Sequence, residues 1–195
     1  MLFAISGEPW MSLIALMLAG IADMLDGVVA RRLDLGAEDQ RFGAQLDSVI
    51  DALSFGAAPA VFYYLAFPQL PLALTLCFVH LFSVVWRLSR FAVVGATESQ
   101  EGQRTYQGLP CTYVALTLPG SAAVALCDPM LAPWALGSVG LLTALFMLSR
   151  VSVPRPGRLG MILLILLAIT LGGFFTAARM RDATFTPSKR AAPWR

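Results

Sequence analysis

Asp23 and Asp26 stand three residues apart, and Asp47 and Asp51 stand four apart. Spacings of three and four place side chains on one face of a helix, with Cβ atoms about 5–6 Å apart. Both pairs fall near the ends of strongly apolar stretches, where each carboxylate costs roughly 2.5–3.5 kcal/mol on the insertion scale. Carboxylates gathered this closely repel one another unless a cation lies among them. Hard oxygen donors of this kind suit Mg2+ or Mn2+. Two metals bridged by carboxylates are a standard arrangement for displacement at phosphorus. Two other readings are open: solvated charges at helix ends, and acids lining an ion pathway. The cost of placing four acids together argues against the first. Glycines argue against the second. Gly27 follows Asp26 and Gly43 precedes Asp47 by one turn. Both remove side-chain bulk where a phosphate could approach.

The elements that must carry these acids are membrane helices. Only 13% of the 195 residues are charged and 57% are hydrophobic, where a soluble domain carries about 25% charged residues. The net charge of +2 gives no reason to expect a nucleic-acid partner. Apolar runs recur at roughly Trp10–Leu33, Phe42–Phe67, Pro71–Gly95, Pro110–Cys127, Leu131–Leu148 and Leu159–Ala178. Each is near the ~20 residues that span a bilayer. They are continuous rather than alternating, so they predict an all-α, polytopic transmembrane bundle of about six helices, not strands. Residues 1–178 form the membrane domain, and 179–195 read as a basic flexible tail.

Arginines set the orientation. Arg31, Arg32 and Arg41, then Arg87, Arg90 and Arg104, then Arg150, Arg155 and Arg158 fall at alternate connections. The loops Pro68–Pro71 and Asp128–Pro133 contain no Lys or Arg. The arginine-bearing ends, and the acids with them, are therefore expected at the cytoplasmic face. The tail cations Arg179, Arg181, Lys189, Arg190 and Arg195 then lie outside, or the sixth run does not cross fully.

Written out, the acidic stretch is Asp23-x2-Asp26-Gly27-x2-Ala30-Arg31, followed by Gly43-x3-Asp47-x3-Asp51. It resembles the signature of the CDP-alcohol phosphatidyltransferases. The resemblance implies metal ligation by Asp23, Asp26, Asp47 and Asp51, with Asp51 also the base that takes the proton of the acceptor hydroxyl. It implies contacts to the CDP moiety from Gly27, Ala30, Arg31 and Gly43. Further pieces are similar to one subfamily, the CDP-diacylglycerol–serine O-phosphatidyltransferases. These are Phe42–Ser48, Ser54–Ala60, Arg87–Phe91, Tyr106–Pro110 and Phe146–Arg150. The implied partners are CDP-diacylglycerol, L-serine and membrane lipids, and the implied place is a bacterial inner membrane. The same chemistry with glycerol phosphate, inositol phosphate or choline stays open. Family members often dimerise, and this sequence does not bear on that.

The chain departs from the family in three places. Only Met1–Pro9 stand where the family carries a further helix, so that helix is expected to be largely missing. The connection Arg32–Phe42 is longer than usual and holds no Ser or Thr.

Other residues have plainer readings. Arg87 and Arg90 are either anion ligands, for a lipid phosphate or the acceptor's carboxylate, or membrane-edge anchors. Cys77, Cys111 and Cys127 read as small hydrophobes. His80 reads as a packing histidine, Gly108–Pro110 as a turn opening the fourth helix, and Ser48 as bonded to its own backbone. Trp10, Trp86 and Trp134 read as interfacial anchors.

Overall fold

The computed structural model describes residues 9–30, 32–33, 36–67, 69–94, 97–98, 104–127, 130–154 and 158–185. Each apolar run forms one helical rod. Helix α1 is Pro9–Ala30. The second rod joins α2 (Ala37–Asp51), a π-helical turn (Ala52–Ala57) and α3 (Ala58–Ala66). Helix α4 is Leu70–Val94. A 3-10 turn, Cys111–Tyr113, opens α5 (Val114–Cys127), and α6 (Ala132–Leu148) and α7 (Arg158–Phe185) follow. The helical bundle expected from the sequence is what forms. Pro9–Gly27, Ala37–Ala66 and Leu70–Val93 are long and apolar enough to cross a membrane, and three shorter apolar helices accompany them.

Three short strands lie in the connections rather than the rods. They are β1 (Thr97–Glu98), β2 (Arg104–Gln107) and β3 (Ser152–Pro154), paired antiparallel in the order β1-β2-β3. This ladder ties the exit of α4, the approach to α5 and the link between α6 and α7 at one end of the bundle. These are the connections that the arginine pattern assigns to one side.

Helix α5 is central, packed against α1, α6 and α7, while α4 lies against α3, α6 and the π turn. Apolar faces gain little from meeting one another in lipid, so close approach of small residues does much of the holding. Gly20 on α1 shows this: a Cβ there would stand 2.6 Å from the Ala115 Cβ on α5. The core around this contact includes Leu13, Met17, Val114 and Leu118. Phe78, Phe82 and Trp86 stack in sequence along an exposed face of α4, which suits a surface turned to acyl chains.

Three sequence expectations change. Trp10 is not an anchor; it is buried and stacked on Phe175, with ring centroids 5.4 Å apart. Trp86 and Trp134 do stay exposed. The same stacking places the C-terminal half of α7 at the far end of α1 from its aspartates, so α7 runs the length of the bundle. Helix α7 continues to Phe185, so residues 179–185 are helical rather than a flexible tail, and 186–195 lie outside the described residues. Helix α2 begins at Ala37, before the apolar run, because Glu38 and Asp39 in its first turn favour the positive end of the helix dipole.

The π turn follows Asp51 directly, and its cause is local. Pro59 has no N–H to give the Phe55 carbonyl one turn earlier. His80 on α4 meets that carbonyl instead, with Nε2 2.9 Å from Phe55 O. His80 is buried, as a packing histidine should be, and its ring stands edge-on to Tyr63. Cys77 donates to the Ala60 carbonyl at 2.9 Å, one turn of α4 before His80. Replacing His80 by leucine leaves a buried carbonyl without its donor, at a cost of about 1–3 kcal/mol. Thermal unfolding in detergent should show a lower midpoint for His80→Leu. An unchanged midpoint would mean that the carbonyl finds another donor.

Candidate active site

The acids come from two rods that meet near one end of the bundle. Asp23 and Asp26 lie in the last turns of α1, and Asp47 and Asp51 lie toward the end of α2. Asp23, Asp26 and Asp47 each offer a carboxylate oxygen, and these oxygens lie within 4.8 Å of one another. Oxygens bound to one hard cation sit no more than about 5 Å apart. The three carboxylates therefore fit a divalent ion in donor type and in spacing. Asp23 is half-buried, while Asp26 and Asp47 are exposed.

Asp51 stands one turn deeper. It is buried, within hydrogen-bonding reach of Asp23, and outside the close triad. The sequence groups all four acids alike. The structure separates an open triad from one enclosed partner.

Two further side chains reach the acids from the 3-10 turn, and sequence reasoning missed both. Thr112 donates its hydroxyl to Asp23 Oδ2 at 2.9 Å. Cys111 donates its thiol to Asp51 Oδ2 at 3.3 Å. Cys111 is fully buried, but its contacts are polar, which corrects its reading as a small hydrophobe. The signal available in the sequence was position alone: both residues follow the Gly108–Pro110 turn.

Arg87 completes the line. Its Nη1 donates to the Cys111 sulfur at 3.2 Å, so a guanidinium reaches Asp51 through a thiol. Arg87 is buried on α4, with Nε unpartnered among the described residues and the guanidinium 5.9 Å from the Phe91 ring centroid. Its side chain turns into the bundle, so the anchoring reading does not hold for it. Arg90, one turn on, is partly exposed.

Gly27 is half-buried beside Asp26, and Ala30 is exposed at the end of α1. Gly43 is exposed on α2, and a Cβ there would meet nothing within 4 Å. The space beside Gly43, one turn before Asp47, is thus open among the described residues. Arg31 lies outside the described residues. Ser48 donates to the Ala44 carbonyl at 3.0 Å, bonded to its own backbone as expected.

The turn that carries Cys111 and Thr112 is fixed from below. Gly108 donates to Val151 O at 2.8 Å and Leu109 to Phe146 O at 3.1 Å, and Pro110 caps the 3-10 turn. Gly108 has a φ of 81°, and a Cβ would lie 2.7 Å from Met147 O. Only glycine meets both demands.

Among the described residues, six helical rods with four carboxylates gathered near one end define a class, an integral membrane protein with an acidic, metal-competent site. The chain belongs to the CDP-alcohol phosphatidyltransferase family, whose model matches residues 1–186. Similar proteins carry more specific names. A CDP-diacylglycerol–serine O-phosphatidyltransferase of Mycobacterium bovis is 30% identical over 125 residues, covering 63% of this chain and 43% of the relative. The Mycobacterium leprae protein of the same name is 34% identical over 127 residues, covering 64% of this chain and 41% of its own. An archaetidylserine synthase of Methanothermobacter thermautotrophicus is 31% identical over 170 residues, or 82% of this chain and 64% of that protein. The chain spans less than half the length of the mycobacterial relatives.

Gly108→Ala tests whether the turn supports the site. The left-handed backbone alone costs an L-residue about 1–2 kcal/mol, and the clash with Met147 adds to it. The variant should unfold at a lower temperature than wild type in the same detergent. Equal unfolding temperatures would show that the turn can relax without cost.

Proposed function

We propose that the protein transfers a phosphatidyl group from CDP-diacylglycerol to L-serine, giving phosphatidylserine and CMP. The observation that carries this reading is the meeting of Asp23, Asp26 and Asp47 beside the enclosed Asp51 in a chain of this family. The names of the similar proteins support serine as the acceptor.

Asp23, Asp26 and Asp47 would hold Mg2+ or Mn2+, with Asp51 as a further ligand. The bound metal supplies positive charge against the diphosphate and the departing CMP. Asp51 takes the proton from the serine hydroxyl. The hydroxyl oxygen then bonds to the phosphorus that carries diacylglycerol, and the bond from that phosphorus to the CMP oxygen breaks. Asp51 is buried within hydrogen-bonding reach of Asp23, which supports a base standing close to the metal-competent acids.

Gly27, Ala30, Arg31 and Gly43 line the CDP moiety in this reading, small residues beside the acids and a cation for the phosphates. Arg87 and Arg90 receive an anion, either the serine carboxylate or the lipid phosphate. Arg87 supports this by its buried Nε, unpartnered among the described residues, since a guanidinium forks readily onto a carboxylate or phosphate. The site works at the cytoplasmic face, where serine and CMP exchange with water while acyl chains stay in lipid.

Membranes holding the protein, supplied with CDP-diacylglycerol, Mn2+ or Mg2+ and labelled serine, should release CMP, and EDTA should abolish the release. Release with glycerol phosphate, inositol phosphate or choline in place of serine would overturn the acceptor assignment. Asp51→Asn should lower kcat by about 10²–10⁴-fold, the usual worth of a positioned base. Full activity in that variant would remove Asp51 from the role.

A further inference from the structure

The two aspartate-bearing rods are not held together by a broad apolar seam near the acids. Residues 37–47 of α2 are exposed throughout, and α1 packs chiefly on α5 and α7. Yet oxygens from both rods come within 4.8 Å of one another. A cross-link must exist, and the 3-10 turn before α5 supplies one. Consecutive residues face different rods: Cys111 reaches Asp51 of α2, and Thr112 reaches Asp23 of α1.

We infer that Cys111 and Thr112 are positioning residues, which set the aspartates of α1 against those of α2 for the divalent cation. The inference rests on the metal-dependent reading given above. The chemistry of the contacts supports it. A carboxylate has about four lone-pair sites, so the Thr112 hydroxyl can occupy one and leave others for a cation. Groups that hydrogen-bond a ligating carboxylate fix its rotamer, and their loss typically costs 10–100-fold in metal affinity or activity.

The packing explains how the turn comes so near. Gly20 lies one turn before Asp23 on α1, and a Cβ there would stand 2.6 Å from Ala115 Cβ and 3.8 Å from Thr112 Cγ2. The absence of that Cβ lets the start of α5 close on α1, within reach of Asp23. From the other side, Gly108 and Leu109 pin the turn to α6 and the segment after it. The turn is thus held independently of the acids and can impose a position on them.

The two halves predict different failures. Thr112 acts on a member of the triad, so its loss appears in metal binding. Cys111 acts on Asp51, the proposed base as well as a further ligand, so its loss appears chiefly in turnover. Mn2+ binding to the purified, detergent-solubilised full chain, followed by electron paramagnetic resonance without substrate, reads the first. Thr112→Val should weaken Mn2+ binding by about 10–100-fold, while Thr112→Ser, which keeps the hydroxyl, should bind as wild type does. Thr112→Ala, read against Thr112→Ser, gives the same comparison if the valine variant does not fold. Equal Mn2+ affinity in the valine or alanine variant would overturn the role. So would a serine variant weakened as much as valine, which would show that the methyl packing matters and not the hydroxyl. For the second half, Cys111→Ala should lower kcat for CMP release and Cys111→Ser should restore it. Unchanged kcat in the alanine variant, or no restoration by serine, overturns the thiol's part. A wild-type chain that binds no Mn2+ overturns the metal reading itself, and this inference with it.

Discussion

Repulsion among carboxylates gathered at one end is the constraint around which the bundle is arranged. Side chains of one sign, brought together from two rods, push those rods apart, and lipid offers no hydrophobic force to oppose the push. Opposing it takes donors aimed at the acids, backbone contacts that cannot yield, and a cation. The protein shows the first two. Thr112 and Cys111 each donate to one acid. Gly20 lets α1 meet α5 at backbone distance, and the ladder of β1, β2 and β3 draws the neighbouring connections together at one end. The open triad of Asp23, Asp26 and Asp47 has the spacing that a third component, a hard cation, requires.

The π turn belongs to the same arrangement. It begins at Ala52, immediately after Asp51, so the extra residue falls where α2 passes from its exposed half into the core. Its freed carbonyl is met by His80, and the next rod is stitched on again by Cys77 at Ala60. Asp51 thereby ends up on a segment anchored to α4, the helix that carries Arg87. Such single-turn π segments often accompany functional positions, and here the proline that causes the turn sits eight residues past the acid it helps to place.

Much of this was legible in the sequence, for physical reasons that also mark where reading stops. Apolar runs give rods because lipid forces backbone groups to pair within a segment, and the acids stand out because they are costly there. Helix periodicity pairs Asp23 with Asp26 and Asp47 with Asp51. It cannot show that Asp51 is enclosed while the others are open, since that depends on α4 and on the turn before α5. Cys111 and Thr112 lie 60 and 89 residues from the acids they contact. Nothing in their local composition separates them from packing residues. Trp10 misled for a similar reason: a tryptophan at the start of an apolar run reads as an anchor until Phe175 is found beneath it. The start of α2 is hidden because Glu38–Arg41 are polar or charged and give no apolar run to mark a helix.

The thiol between Arg87 and Asp51 is best understood by what a direct contact would do. A guanidinium placed on a buried carboxylate makes a strong, charge-assisted pair, and such a carboxylate has little basicity left to take a proton. A thiol is a weak donor and a weak acceptor, and its contacts here, 3.2 and 3.3 Å, are long. It stands between the guanidinium and the carboxylate, so the two are linked through sulfur. The same separation leaves the buried Arg87 Nε without a partner among the described residues. A buried guanidinium with a donor to spare calls for an anion. The proposed reaction brings two, the phosphate of the lipid and the carboxylate of serine. One buried sulfur thus stands between a guanidinium and a carboxylate, the two groups to which the proposed reaction gives separate tasks.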